Sequence, residues 1–71
     1  MVEVFKTNVH CPEAAANLLA LLRVHYGGCQ VSFDLEDCDK VLRIAGQRVV
    51  VAPQVISILQ QQGFQCLVLD Y

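Results

Sequence analysis

The chain has 71 residues, 55% hydrophobic and 17% charged, with a net charge of −2 and a mean hydropathy of +0.45. That length supports one domain, 1–71, and a chain so short buries only about 60% of the surface it exposes when unfolded. Five scattered basic residues make no track for nucleic acid, although Arg43 and Arg48 flank one strand end. Apolar runs such as 49–53 fall far below the ~20 residues of a membrane span. No basic segment followed by an apolar stretch opens the chain, so a cytoplasmic location is expected. The apolar excess favours self-association or a protein partner.

Residues 2–9 (VEVFKTNV) are β-prone and partly alternating, which predicts a first strand. His10-Cys11-Pro12-Glu13 follows; Pro12 suits a first helical position and Glu13 the positive end of the helix dipole. Ala15, Leu18, Leu19 and Leu22 then form the stripe of an amphipathic helix ending near Tyr26. Gly27-Gly28 is expected to stop it in a left-handed C-terminal conformation. Residues 29–35 (CQVSFDL) alternate strictly and predict a second strand, with Val31, Phe33 and Leu35 on one face. Glu36-Asp37-Cys38-Asp39 is a polar turn, and residues 40–45 (KVLRIA) complete a hairpin. After Gly46-Gln47-Arg48 and the Val49-Val50-Val51 run, Pro53 starts a second helix. Its apolar positions are Val55, Ile56, Ile58 and Leu59, and Gly63 closes it. Residues 64–69 (FQCLVL) are the last strand.

The order βαββαβ predicts an α+β, ferredoxin-like sandwich. Right-handed crossovers place both helices on one face of a four-stranded antiparallel sheet of order 4-1-3-2. The other face is open and a candidate interface, with Val4, Leu42, Leu67 and Leu69 as its apolar residues, depending on register. This topology also gathers the end of strand one, the hairpin turn and the loop before the last strand at one end of the sheet. Cys11, Cys38 and Cys66 fall near that end and Cys29 at the opposite one.

The four cysteines are spaced by 18, 9 and 28 residues and form no CxxC pair, and reduced thiols are the better reading. Cys66 alternates inward with Phe64 and Val68, and Cys29 with Val31, so both read as packing. Cys38 lies between Asp37 and Asp39, whose charges disfavour a thiolate, and reads as an exposed turn residue. Glu36, Asp37 and Asp39 read as a solvated hairpin rather than a hard-metal site. Cys11 stands at a helix N-terminus, which favours a thiolate, and His10 beside it is a second soft-metal ligand type.

Over its whole length the chain resembles the heavy-metal-associated domains of copper chaperones. Such domains read as strand, Met-x-Cys-x-x-Cys, helix, hairpin, a second helix ending in Gly-Phe/Tyr, and a short strand. Phe5 to Cys11 matches the strand and loop, with Cys11 in the place of the first metal cysteine. Leu18 and Leu22 match the first helix, residues 31–35 and 41–44 the hairpin, and Gln62-Gly63-Phe64 the end of the second helix. The motif is degenerate: Ala14 replaces the second cysteine and Val9 the methionine. One thiolate alone does not grip Cu(I) in near-linear geometry.

The resemblance implies a soft metal, Cu(I) or Zn(II), at Cys11; the lone thiol and the apolar excess point to two chains meeting at this loop, each donating its Cys11 with His10 as a further candidate ligand. The alternative is a protein-interaction or regulatory module that keeps the fold without the metal, using the open sheet face or the 49–51 segment. An enzyme is not expected: His10 is the only base near Cys11, and no resolving cysteine follows it. No small-molecule substrate is evident either, since Gly27-Gly28 ends a helix rather than opening a phosphate loop.

Overall fold

A computed structural model of the chain describes residues 2–47 and 49–69; Arg48 lies outside the described residues. The β-prone start forms β1 (Val2–Thr7), and α1 (Pro12–His25) follows after a short loop. Pro12 opens α1, where its missing N–H costs no hydrogen bond. Glu13 in the first turn and Arg23 and His25 in the last complement the helix dipole. The hairpin strands are β2 (Gln30–Asp34) and β3 (Val41–Ala45). Helix α2 (Ala52–Gln61) and β4 (Cys66–Val68) complete the predicted βαββαβ order.

The four strands pair antiparallel in the order β2-β3-β1-β4, the expected arrangement read from the other edge. Register fixes the two faces. Phe5 sits opposite Leu42 and Val68, Thr7 opposite Cys66, and Val31 opposite Ile44. Since directly opposed residues share a face, these point toward the helices. Phe5, Leu42, Ile44, Leu22, Val55 and Leu59 are all fully buried there. Each such side chain contributes about 1.5–3 kcal/mol by leaving water. Leu42 was an expected open-face residue, and the register reverses that: β3 carries adjacent apolar residues Val41 and Leu42, so its phase is ambiguous until pairing sets it. Val4, paired with Arg43, and Leu67, paired with Lys6, do face outward. Leu69, whose N–H reaches the Val4 carbonyl at 2.9 Å, continues that row.

The helices end differently from one another. Gly63 adopts φ +89°, while its N–H bonds the Gln60 carbonyl and the Phe64 N–H bonds that of Leu59, which is a Schellman stop. Gly27 and Gly28 do not take the left-handed conformation expected of them. Instead α1 ends at Tyr26, whose N–H bonds the Leu22 carbonyl at 2.7 Å and whose carbonyl accepts from the Cys29 N–H. Tyr26 is buried, and its hydroxyl donates to Gln54 Oε1 at 2.7 Å, tying the end of α1 to the start of α2. That tertiary bond fixes Tyr26 and makes a glycine stop unnecessary.

Candidate functional site

Three loops meet at one end of the sheet, as the topology requires. The Thr7 N–H bonds the Asp39 carbonyl in the β2–β3 turn at 3.0 Å, and the Gln65 N–H bonds Asn8 Oδ1 at 2.8 Å. The β1–α1 loop, residues 8–11, therefore lies between the hairpin turn and the connection from α2 to β4. Its anchor is Val9, fully buried in the core. A β-branched apolar residue suits that place, because its burial ties the middle of the loop to the core.

Cys11 occupies the N-cap position of α1, and its carbonyl accepts the Ala15 N–H at 3.0 Å. Its side chain makes no capping hydrogen bond and is exposed, so the sulfur is not committed to holding the helix. His10 is also exposed, and its Nδ1 lies 3.0 Å from the Asn8 carbonyl oxygen. A carbonyl can only accept, so Nδ1 carries the proton in that bond. In the neutral ring this leaves Nε2 as a lone-pair donor. A ring N–H held by a backbone carbonyl is the usual support of a metal-binding histidine. Ala14, three residues after Cys11 in the first turn of α1, is half-buried and brings no ligand.

All four cysteines are free thiols, and their environments separate them as expected from sequence. Cys66 is buried, and desolvation pushes its thiol up to about 11, which keeps it neutral. Cys29 is half-buried at the opposite end, packed so closely that a Cβ on Gly46 would stand 2.9 Å from its sulfur. Cys38 is exposed in the hairpin turn.

Among the described residues, one group of three metal-ligand types lies close together: Asp37, Cys38 and Asp39, with ligand atoms all within 4.8 Å of one another. Its carboxylates already have work in the turn. Asp37 Oδ1 accepts the Asp39 N–H at 2.8 Å, and Asp39 Oδ1 faces Lys6 Nζ at 3.6 Å. This supports reading the cluster as an ordinary acidic hairpin turn. Cys11 and His10 belong to no group of three, so the chain by itself offers them no third ligand among the described residues.

Sequence reasoning missed two residues of this end. Thr7 Oγ1 donates to the Lys40 carbonyl and accepts the Val9 N–H, and Asn8 Oδ1 accepts from Gln65. A threonine in a strand and an asparagine in a loop are common, and their partners lie 33 and 57 residues away in the chain. Nothing local in the sequence marks them. The open sheet face carries a groove of about 410 Å³ lined by Val2, Val4, Ser32, Asp34, Val41 and Arg43. No helix among the described residues is long and apolar enough to cross a membrane.

No protein-family model matches the chain, and no curated protein matches it. Among solved structures, it is similar to the yeast copper transporter domain Ccc2a, described in solution in apo and Cu(I)-loaded states. The match covers 97% of this chain and 94% of that one, with a TM-score of 0.80 at 17% sequence identity. At that identity the likeness speaks for the fold alone, and it does so over nearly the whole length: the chain shares that domain's ferredoxin-like fold.

Proposed function

We propose that this domain is a non-catalytic carrier of a soft metal ion, Cu(I) before Zn(II), bound through the Cys11 sulfur with His10 Nε2 as a second donor. The observation that supports this most is an uncommitted, exposed thiol next in sequence to an imidazole whose Nδ1 is held by the Asn8 carbonyl. Both sit on the loop where the resembling family carries its metal motif, on a fold shared with a domain described as Cu(I)-loaded. Soft thiolate and imidazole donors suit Cu(I) and Zn(II) and do not suit Mg²⁺ or Ca²⁺. Because Ala14 stands where a second thiolate would be, the coordination is completed by Cys11 of a second copy.

Competition for Cu(I) against a chromophoric chelator under reducing conditions tests the reading. The native chain withdraws metal from the chelator, and Cys11→Ser abolishes that withdrawal. Equal uptake by the native chain and Cys11→Ser, or none by either, would sink it. A second reading, an interaction module working without metal, is favoured by the open sheet face, where Val2 and Leu67 are 51% and 63% exposed. It predicts association that neither chelator nor Cys11→Ser alters.

A further inference from the structure

The four-residue loop carrying His10 and Cys11 is held by few polar contacts, and most lead back to two side chains. Thr7 is only 6% exposed, and its hydroxyl uses both of its capacities. Its proton goes to the Lys40 carbonyl, and its oxygen accepts the Val9 N–H at 3.2 Å. Lys40 itself sits at φ +46°, unusual for a side-chain-bearing residue. It is held there by its N–H on the Asp37 carbonyl and its Nζ on the Leu35 carbonyl, both near 3 Å. One hydroxyl therefore connects a fixed hairpin turn to the middle of the loop. Asn8 makes the second connection, through its side chain to Gln65, and presents its own carbonyl to His10 Nδ1.

We infer that Thr7 and Asn8 are positioning residues for the His10–Cys11 site, and that the β2–β3 turn is a structural part of that site. The inference rests on reading His10 and Cys11 as ligands, but its geometric half stands without metal. Without the Thr7 hydroxyl, the Val9 N–H and the Lys40 carbonyl lose their common partner. The Val9 side chain stays in the core, but its N–H is no longer held, so the Asn8–Val9 peptide can rotate and the Asn8 carbonyl no longer meets the imidazole. The imidazole would then distribute its proton over both nitrogens, and the ligand atoms would have to be ordered when metal binds.

Thr7→Val keeps the shape and removes the hydroxyl, Thr7→Ser keeps the hydroxyl, and Asn8→Ala acts at an exposed position should Thr7→Val fail to fold. Two quantities are read: the ring ¹⁵N shifts of His10 without metal, and Cu(I) affinity by chelator competition. The native chain should show the Nδ1–H form. Thr7→Val and Asn8→Ala should show a mixture of the two tautomers and a Cu(I) affinity lower by about 10- to 100-fold, the usual effect of losing a group that orients metal ligands. Thr7→Ser should restore both. Unchanged ring shifts in a folded Thr7→Val or Asn8→Ala protein would overturn the inference, as would Thr7→Ser behaving like Thr7→Val. If the native chain bound no Cu(I), the proposed function would fail, while the ring shifts would still decide whether these residues position His10.

Discussion

The two ends of the sheet use the same residue types to opposite purposes. At the end that gathers the β1–α1 loop, the hairpin turn and the approach to β4, side chains bond backbone. Thr7 holds Lys40 and Val9, Asn8 holds Gln65, and Cys11 is left exposed with its sulfur uncommitted. At the other end the thiol is itself part of the packing. Cys29 is wedged against Gly46, while the Tyr26 hydroxyl bonds Gln54 and ties the helices together. Polar fixation can secure a loop from beneath without covering its outer side chains, whereas fixation by packing consumes whatever thiol lies in its path. Burial and commitment, not the mere presence of a cysteine, therefore separate Cys11 from Cys29 and Cys66.

The contrast is most strongly tested by adding chemistry to the open end. Ala14→Cys places a second thiol one helical turn from Cys11. Cu(I) affinity should rise by roughly 10²- to 10⁴-fold, the gain when a second ligand comes from the same molecule. Chelator competition measures it, and no gain would mean that the loop does not present Cys11 to metal.

The buried thiols give smaller effects, on stability alone. Cys66 has its thiol raised to about 11 from 9.0 by desolvation, so the fold favours the neutral form. That stabilisation is complete below pH 9 and is lost as pH rises through 11, up to about 2–3 kcal/mol. Urea melts between pH 8 and 11.5 should show this decline in the native chain and a shallower one in Cys66→Ala.

Gly46→Ala forces a methyl to within 2.9 Å of the Cys29 sulfur and 3.1 Å of its Cα. A loss of about 1–3 kcal/mol is expected from such overpacking, with no change in the alkylation rate of Cys11. A slower or faster Cys11 would show that the two ends are not independent. Gly63→Ala meets no atom within 4 Å, and its cost is the backbone conformation alone, about 1–2 kcal/mol by thermal melting.

Much of this architecture is legible in the sequence because the apolar periods, the two prolines and Gly63 agree on one answer. The strict alternation of Val31 and Phe33 set the phase of β2, and the Ala15–Leu18–Leu22 spacing set the buried face of α1. What was not legible depended on long-range partners. Leu42 could not be assigned a face because Val41 beside it is equally apolar, and Gly27-Gly28 looked like a helix stop that Tyr26 in fact supplies. Cys11 was legible as a thiol at a helix start, its exposure only from the fold. Its support was not: Thr7 and Lys40 are adjacent only once β1 has paired with β3. The free Nε2 of His10 likewise follows from one side-chain contact to Asn8 that no spacing encodes.

In the proposed function the exposed Cys11 of two copies share one soft metal ion. Native mass spectrometry of the reduced chain with substoichiometric Cu(I) tests it directly. A species of two chains and one copper should form, revert to monomer on chelation and be absent in Cys11→Ser. Monomers without copper at every ratio, or a two-chain species indifferent to both chelator and Cys11→Ser, would contradict it.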